Sequence, residues 1–308
     1  MIVNSKNLLG IQNSFNTLFN KGIGMAKPTW EQLAMLVPSS TRSETYAWLG
    51  AMPGLKEWIG ERVLQKLQAN GYTLDNKPFE DSVTVNRDDI EDDTYGVYAP
   101  LVQGMGTAAT MWPDELVYAA LAAGFSEKCY DGKPFFSADH LIGKKKISNM
   151  STAALDVESY VEARTAIMSY TNEKVKPLGL VPNLLVVPPS LEGVARKIVK
   201  AENIAQKYTD ADGKVSYVPE SNVYKDTAEV LVVPQLAAAP KAWFLLDTTK
   251  AIKPLIFQRR KAPEFVAMTA PDDYRVFMNK EFIYGVEARG NAGYTLWQLA
   301  YGSTGEGE

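Results

Sequence analysis

Residues 46–91 set the first constraint on any fold for this chain. They open on Trp48, Leu55, Trp58 and Ile59, continue through a helix-like or strand-like Glu61–Ala69 with Val63, Leu64 and Leu67, and then turn repeatedly, a pattern that suits strand pairing more than a core of their own. Asn70-Gly71 is a tight-turn dipeptide, Tyr72-Thr73-Leu74 is strand-like, Asp75-Asn76-Lys77-Pro78 reads as a second turn, and Val83, Thr84 and Val85 are β-branched. The simplest reading is an extended, hairpin-like excursion. A lone hairpin is marginal in water, so this one needs something to lie on.

The segment before it has the same need. Leu8, Ile11, Phe15 and Leu18 recur at helical spacing, which predicts one short amphipathic helix interrupted by Gly22, Gly24 and Pro28. A second short helix is predicted from Thr29 through Leu36, ending before Pro38. An arm of this kind over residues 1–45 buries its apolar stripe only against the body of the protein or a neighbouring chain.

The remaining sequence supplies the core. Residues 94–124 are rich in Ala, Gly, Leu and Met, and Pro113-Asp114-Glu115 suits a helix first turn, so one long helix with a bend, or two in series, is expected. Asp156 caps a further helix and Ser190 another, the latter with Leu191, Val194, Ala195, Ile198 and Val199 as its stripe. Strands are expected at Leu184–Val187, Glu229–Val233, Trp243–Leu246, Leu255–Gln258, Phe265–Thr269, Arg275–Asn279 and Phe282–Ala288. The tail Gly302–Glu308 is small and polar and is expected to fray.

Charge is separated along the chain although the net charge is only −4. Glu80, Asp81, Asp88, Asp89, Glu91, Asp92 and Asp93 face Arg87 alone, whereas Lys241, Lys250, Lys253, Arg259, Arg260 and Lys261 face only Asp247. The acidic run suits a solvated turn with helix-capping carboxylates, or a patch that meets a basic surface on another copy; it lacks the spacing of a calcium loop. The bulk charge does not advertise a nucleic-acid or membrane binder. The longest apolar run, Leu116–Phe125, is well short of the roughly 20 residues a spanning helix needs. No secretory leader is legible, and a cytoplasmic site of synthesis is expected.

Chemistry is hard to find. The single cysteine, Cys129, excludes an internal disulfide and a multi-cysteine metal cluster, and the single histidine, His140, excludes a multi-histidine site. His140 with Ser137 nearby could be read as a general base, but no nucleophile elbow accompanies it, and a loop histidine is the better account. Gly104-Met105-Gly106-Thr107-Ala108-Ala109 fits G-x-G-x-x-A, yet a helix-like stretch precedes it and Cys129 stands where an acidic residue should hold ribose, so close helix packing explains it better than a dinucleotide. No catalytic residue, cofactor or metal is expected.

The order of these segments resembles a known family. The motifs that carry the resemblance are Arg87–Asp93, Pro113-Asp114-Glu115-Leu116-Val117, Tyr130-Asp131-Gly132-Lys133-Pro134-Phe135-Phe136-Ser137-Ala138-Asp139-His140, Leu185–Glu192 and the closing Arg289-Gly290-Asn291-Ala292-Gly293-Tyr294. They are similar to the Mu-type phage or prophage major head subunits, the T protein family. The resemblance implies an α+β HK97-type capsid fold, with an N-terminal arm (1–45), an extended E-loop (46–91), a peripheral domain with a long spine helix (92–150), an axial domain (151–246) and return strands of the peripheral domain (247–308). It implies a shell of hexamers and pentamers around double-stranded DNA, with separate scaffold and portal partners, no membrane, and a place in the virion after assembly in the host cytoplasm. Asn70, Gly71, Tyr72, Asp88, Asp89, Asp92, Asp93, Arg259, Arg260 and Lys261 are the expected inter-subunit residues. Two alternatives stay open: an encapsulin-like compartment around a cargo enzyme, and an enzyme that uses Asp139-His140.

Overall fold

The amino-terminal apolar stripe does form a helix, and it outruns its glycines. The computed structural model describes residues 3–47, 49, 71–92, 94–172, 175–209, 215–270 and 272–307. Helix α1 spans Ser5–Met25, opened by the Asn4 side chain, which accepts from the Asn7 N–H at 2.9 Å. The expected second helix is instead a short 3-10 turn at Trp30–Gln32 followed by strand β1 (Ala34–Pro38). Strands β2 (Ser43–Tyr46) and β3 (Tyr72–Asp75) pair antiparallel, and β4 (Lys77–Asn86) follows directly. The expected turn at Asp75–Pro78 is thus a joint between two strands, with Asn76 buried in it.

A short helix α2 (Arg87–Glu91) leads to α3 (Ala99–Ala123), one unbroken helix with Pro113 inside. Pro113 has no N–H to donate to the carbonyl four residues back. Buried Asp114 accepts from the Thr29 N–H at 3.0 Å and the Trp30 N–H at 2.8 Å, tying the entry to β1 onto the helix. The chain continues through β5 (His140–Ile142), β6 (Lys145–Ile147) and β7 (Met150–Ser151) to α4 (Val157–Met168), which Asp156 caps as expected, with the Ser159 hydroxyl accepting in return from the Asp156 N–H.

Next come β8 (Leu184–Val187), α5 (Glu192–Lys200), β9 (Asn203–Thr209), β10 (Val215–Ser221), β11 (Glu229–Val232) and β12 (Trp243–Leu246). Ser190 does not cap α5: its hydroxyl donates to the Pro240 carbonyl. The chain closes with β13 (Leu255–Met268), α6 (Tyr274–Asn279), β14 (Glu281–Tyr294) and β15 (Ala300–Ser303). Arg275–Asn279 is a helix where a strand was expected. Asp273 accepts from the Ala270 N–H at its start, and Lys280, at φ 57°, ends it and turns the chain back.

Two sheets organise the body. One runs β1-β13-β14-β4 and the other β11-β8-β12-β15-β7. Residues 77–86, expected to belong to the excursion, pair along β14 in the body; residues 51–70, also expected in it, lie outside the described residues. The final strand, expected among peripheral return strands, joins β12 in the second sheet. Two hydrogen bonds anchor the tail: the Ser303 hydroxyl donates to the Ala153 carbonyl and the Gly307 N–H to the Thr152 carbonyl, so Gly302–Gly307 packs down and does not fray.

The apolar residues divide into two clusters. The larger contains every residue of β8 and β12 with Trp243, Trp297 and Phe257; the smaller joins Leu8, Ile11, Phe15 and Phe19 of α1 to Val102 and Met105 of α3 and to Phe282 and Tyr284 of β14. The greasy arm is therefore covered by its own chain. Glycine lets α1 approach α3 this closely. A Cβ on Gly22 would sit 2.0 Å from the Gln103 carbonyl oxygen, and one on Gly106 2.1 Å from that of Phe19. The G-x-G-x-x-A stretch is helix packing, as its sequence context suggested.

Candidate assembly surfaces

The root of the excursion is clamped by a buried polar network. Gln258 on β13 is fully buried. Its Oε1 accepts from the Tyr46 hydroxyl at 2.6 Å, and its Nε2 donates to the Leu74 carbonyl at 3.1 Å and to Asn76 Oδ1 at 2.8 Å. Asn76 in turn donates to Ser39 Oγ and the Thr41 carbonyl. Both strands of the excursion are thereby hydrogen-bonded to one side chain of the body, and a fully satisfied network of this kind rigidifies what it joins.

Glu44 secures the loop just before β2. Its carboxylate accepts from the Ser39 hydroxyl at 2.8 Å and the Ser40 N–H at 2.9 Å, with Thr41 adding further donors. The Ser39 hydroxyl first, then the Ser40 and Thr41 amides, hold this carboxyl down to about 2 against an ordinary 4.5. A depressed carboxylate stabilises the fold above its unfolded value and stops doing so as pH falls through the folded one. Amide exchange at Ser40 and Thr41 is therefore expected to stay protected down to pH 4.5 and to accelerate as pH falls toward 2, beyond the intrinsic pH dependence of exchange. Equal protection in the Glu44→Gln variant across that window would remove the carboxylate from the account.

The residues expected at subunit contacts fall in three places. Asn70 and Asp93 lie outside the described residues. Gly71 is exposed, but Tyr72 is half-buried, stacks on Tyr46 at 6.5 Å and accepts from the Tyr294 N–H, so it serves the root within its own chain. Asp88 and Asp89 occupy the first turn of α2, where negative charge favours the helix N-terminus; Asp89 also accepts from the Tyr98 hydroxyl at 2.6 Å. Asp88 and Asp92 are exposed.

On the basic side, Lys261 pairs with Glu264 and Glu287 of its own hairpin, Lys250 donates to the Gly179 carbonyl and Lys253 to the Glu31 carbonyl. Arg259 and Arg260 are left exposed side by side, because the β13–β14 ladder shifts register between Arg259 and Lys261 and so breaks the alternation of faces. Among the described residues, neither Asp88 nor Arg259 takes part in an ion pair within the chain.

A surface that sequence reasoning missed lies at the tip of the β13–β14 hairpin. Tyr274 and Phe277 on α6 are 73% and 77% exposed, with Met278, Met268 and Val266 also open. Only Val276 of this helix is buried, in the smaller core. Reading 275–279 as a strand concealed the pattern; a helical spacing puts Tyr274, Phe277 and Met278 together, away from Val276. Aromatic side chains left in water at such a protrusion mark a contact surface.

The chain matches the family model described as Mu-like prophage major head subunit gpT over residues 8–154, 146–236 and 237–307. The chain belongs to this family. The major capsid protein of Escherichia phage Mu is 34% identical over 306 residues, 99% of this chain and 76% of that protein. The Mu-like prophage FluMu major head subunit of Haemophilus influenzae is 36% identical over 292 residues, 95% of this chain and 71% of that protein. Among solved structures, the chain aligns with one from the procapsid of bacteriophage JBD30 at 34% identity and a TM-score of 0.60, covering 99% of this chain and 77% of that one. The fold is the α+β HK97-type capsid fold expected from the sequence. Members of the family are structural head subunits and not enzymes. These relatives favour a phage head over an encapsulin-like cargo shell.

Proposed function

We propose that this chain is the major head subunit of a Mu-like tailed phage or prophage, and that copies of it close into an icosahedral shell of hexamers and pentamers around double-stranded DNA. The near-complete family match carries the reading. The stretch between β2 and β3 would lie over a neighbouring subunit, and the α6 tip would meet another. Residues 92–150 and most of 247–308 would form the peripheral domain and 151–246 the axial domain, with 1–45 as an arm resting on the spine helix α3. Asp88, Asp92, Arg259 and Arg260 are the charged groups free to pair across such interfaces, where complementary charge sets register more than affinity. Scaffold and portal proteins would guide closure, and assembly would take place in the host cytoplasm.

Shell contacts of this kind are heterologous and ring-closing, and weak ones add up through closure. Negative-stain microscopy and light scattering of the purified chain at rising concentration, with and without its scaffold partner, test the proposal. Rings or closed particles of uniform diameter are expected. A monomer that resists association under both conditions refutes it.

A further inference from the structure

Cys129, Asp131 and His140 are gathered by two adjoining turns into a cluster that the head function does not use. Lys128 and Pro134 face each other across a tight reversal, in which the Cys129 N–H donates to the Lys133 carbonyl at 2.8 Å and the Gly132 N–H to the Cys129 carbonyl at 3.0 Å. Gly132 sits at φ 78°, a conformation that favours glycine. The chain returns through Phe135 and Phe136, both buried, to His140 at the start of β5. This is no loop histidine: its ring is fully buried and stacks on Trp297 at 4.2 Å with an interplanar angle of 5°. Cys129 Sγ, an Asp131 carboxylate oxygen and a His140 ring nitrogen all lie within 4.8 Å of one another.

Counting protons shows what the cluster lacks. His140 Nε2 faces the Phe135 carbonyl oxygen at 3.2 Å, and Nδ1 faces Asp131 Oδ2 at 2.6 Å. Both partners only accept, and a neutral imidazole has one N–H to give, so one ring nitrogen meets an acceptor with its lone pair. A cation held by Nδ1 and Asp131 satisfies both groups, the pair opening from 2.6 Å to admit it. Asp131 also accepts from the Lys133 N–H at 3.0 Å. Burial pushes the Cys129 thiol up, and as a thiol it donates to Asp131 Oδ1 at 3.2 Å.

We propose that Cys129 Sγ, Asp131 and His140 Nδ1 form a binding site for one divalent transition-metal ion of the zinc class, with water in the fourth position. The donor set of sulfur, nitrogen and oxygen is what zinc takes, whereas magnesium and calcium take oxygen alone. The far ring nitrogen of His140 is already anchored on a backbone carbonyl, the support that ligating histidines habitually have, and it aims Nδ1 at the cluster. The Asp131 side chain retains 22% of its exposure, which gives the ion a route in and leaves room for the water. On binding, the Cys129 S–H bond breaks, a sulfur–metal bond forms, and the thiol proton leaves to solvent.

The test uses the purified full chain, dialysed against a chelator and titrated with Co2+ and then Zn2+. One Co2+ per chain is expected, with tetrahedral absorption in the visible, a sulfur-to-cobalt charge-transfer band in the near ultraviolet, and displacement by Zn2+. Affinity should rise with pH because a proton is released. Cys129→Ser is close in size and should keep the circular dichroism spectrum while removing the charge-transfer band and weakening binding by more than roughly 10-fold, since supporting residues alone cost that much. Asp131→Asn should weaken binding in the same direction. A folded wild-type chain that shows no thiolate band, or a Cys129→Ser chain that binds as tightly as wild type, overturns the proposal and leaves the three side chains hydrogen-bonded to one another alone.

Discussion

A subunit from which residues 51–70 are removed, with Gly50 joined to Gly71, is expected to fold and to lose shell formation altogether. The excision spares Leu49, which is buried in the main core, and leaves a short loop between Tyr46 and Tyr72, which already face each other across β2 and β3. The Gln258 network lies wholly outside the excised stretch, so the root keeps its hydrogen bonds. The removed sequence includes Leu55, Trp58, Ile59, Val63, Leu64 and Leu67, apolar material that would be spent on a neighbour. Circular dichroism and thermal melting should stay near those of the intact chain while microscopy shows no closed particles. Normal shells from the excised chain would end the overlapping-loop account.

Replacing Tyr274 and Phe277 together by serine is expected to separate folding from assembly in a different way. Both side chains are mostly in water, so the folded subunit should change in stability by no more than about 0.5 kcal/mol. Buried aromatic anchors at interfaces cost about 2 kcal/mol or more each when truncated, roughly a 30-fold loss in a contact's equilibrium constant. The concentration at which particles form should rise by at least that factor. Because the contact is apolar, the defect should persist across salt concentrations. A defect rescued by high salt would instead assign the tip to charge. By contrast, neutralising Asp88 and Asp92 should weaken assembly chiefly at low salt, where the Debye length is long.

Much of the architecture could be read from residues because local and tertiary preferences agreed. β8 and β12 fall on runs of apolar residues short enough to be strands, and both are buried throughout. Asp156 signalled α4 because its side chain can reach only its own helix start. Where tertiary contacts decided, local signals misled. Residues 34–38 join a sheet beside β13 because Asp114 takes the amides ahead of them, and Gly22 lies within a helix because close approach to α3 outweighs its cost. The polar tail packs because the Gly307 N–H and the Ser303 hydroxyl find carbonyls of 152 and 153 that no sequence pattern announces. The assembly surfaces were half visible. The acidic and basic runs stood out by composition, but that Lys261 spends its charge inside its own hairpin depends on a register shift that only the fold reveals.

The placement of Gln258 has a mechanical consequence. One uncharged side chain receives load from both β2 and β3 and passes it to a strand of fourteen residues that pairs on either side, with β1 at its beginning and β14 along its length. Tension from an adjoining copy would therefore be resisted in shear by many ladder bonds at once, with no peeling from the end. A lattice stitched from such units draws its toughness from how each tile is moored, and only secondarily from how strongly tiles adhere.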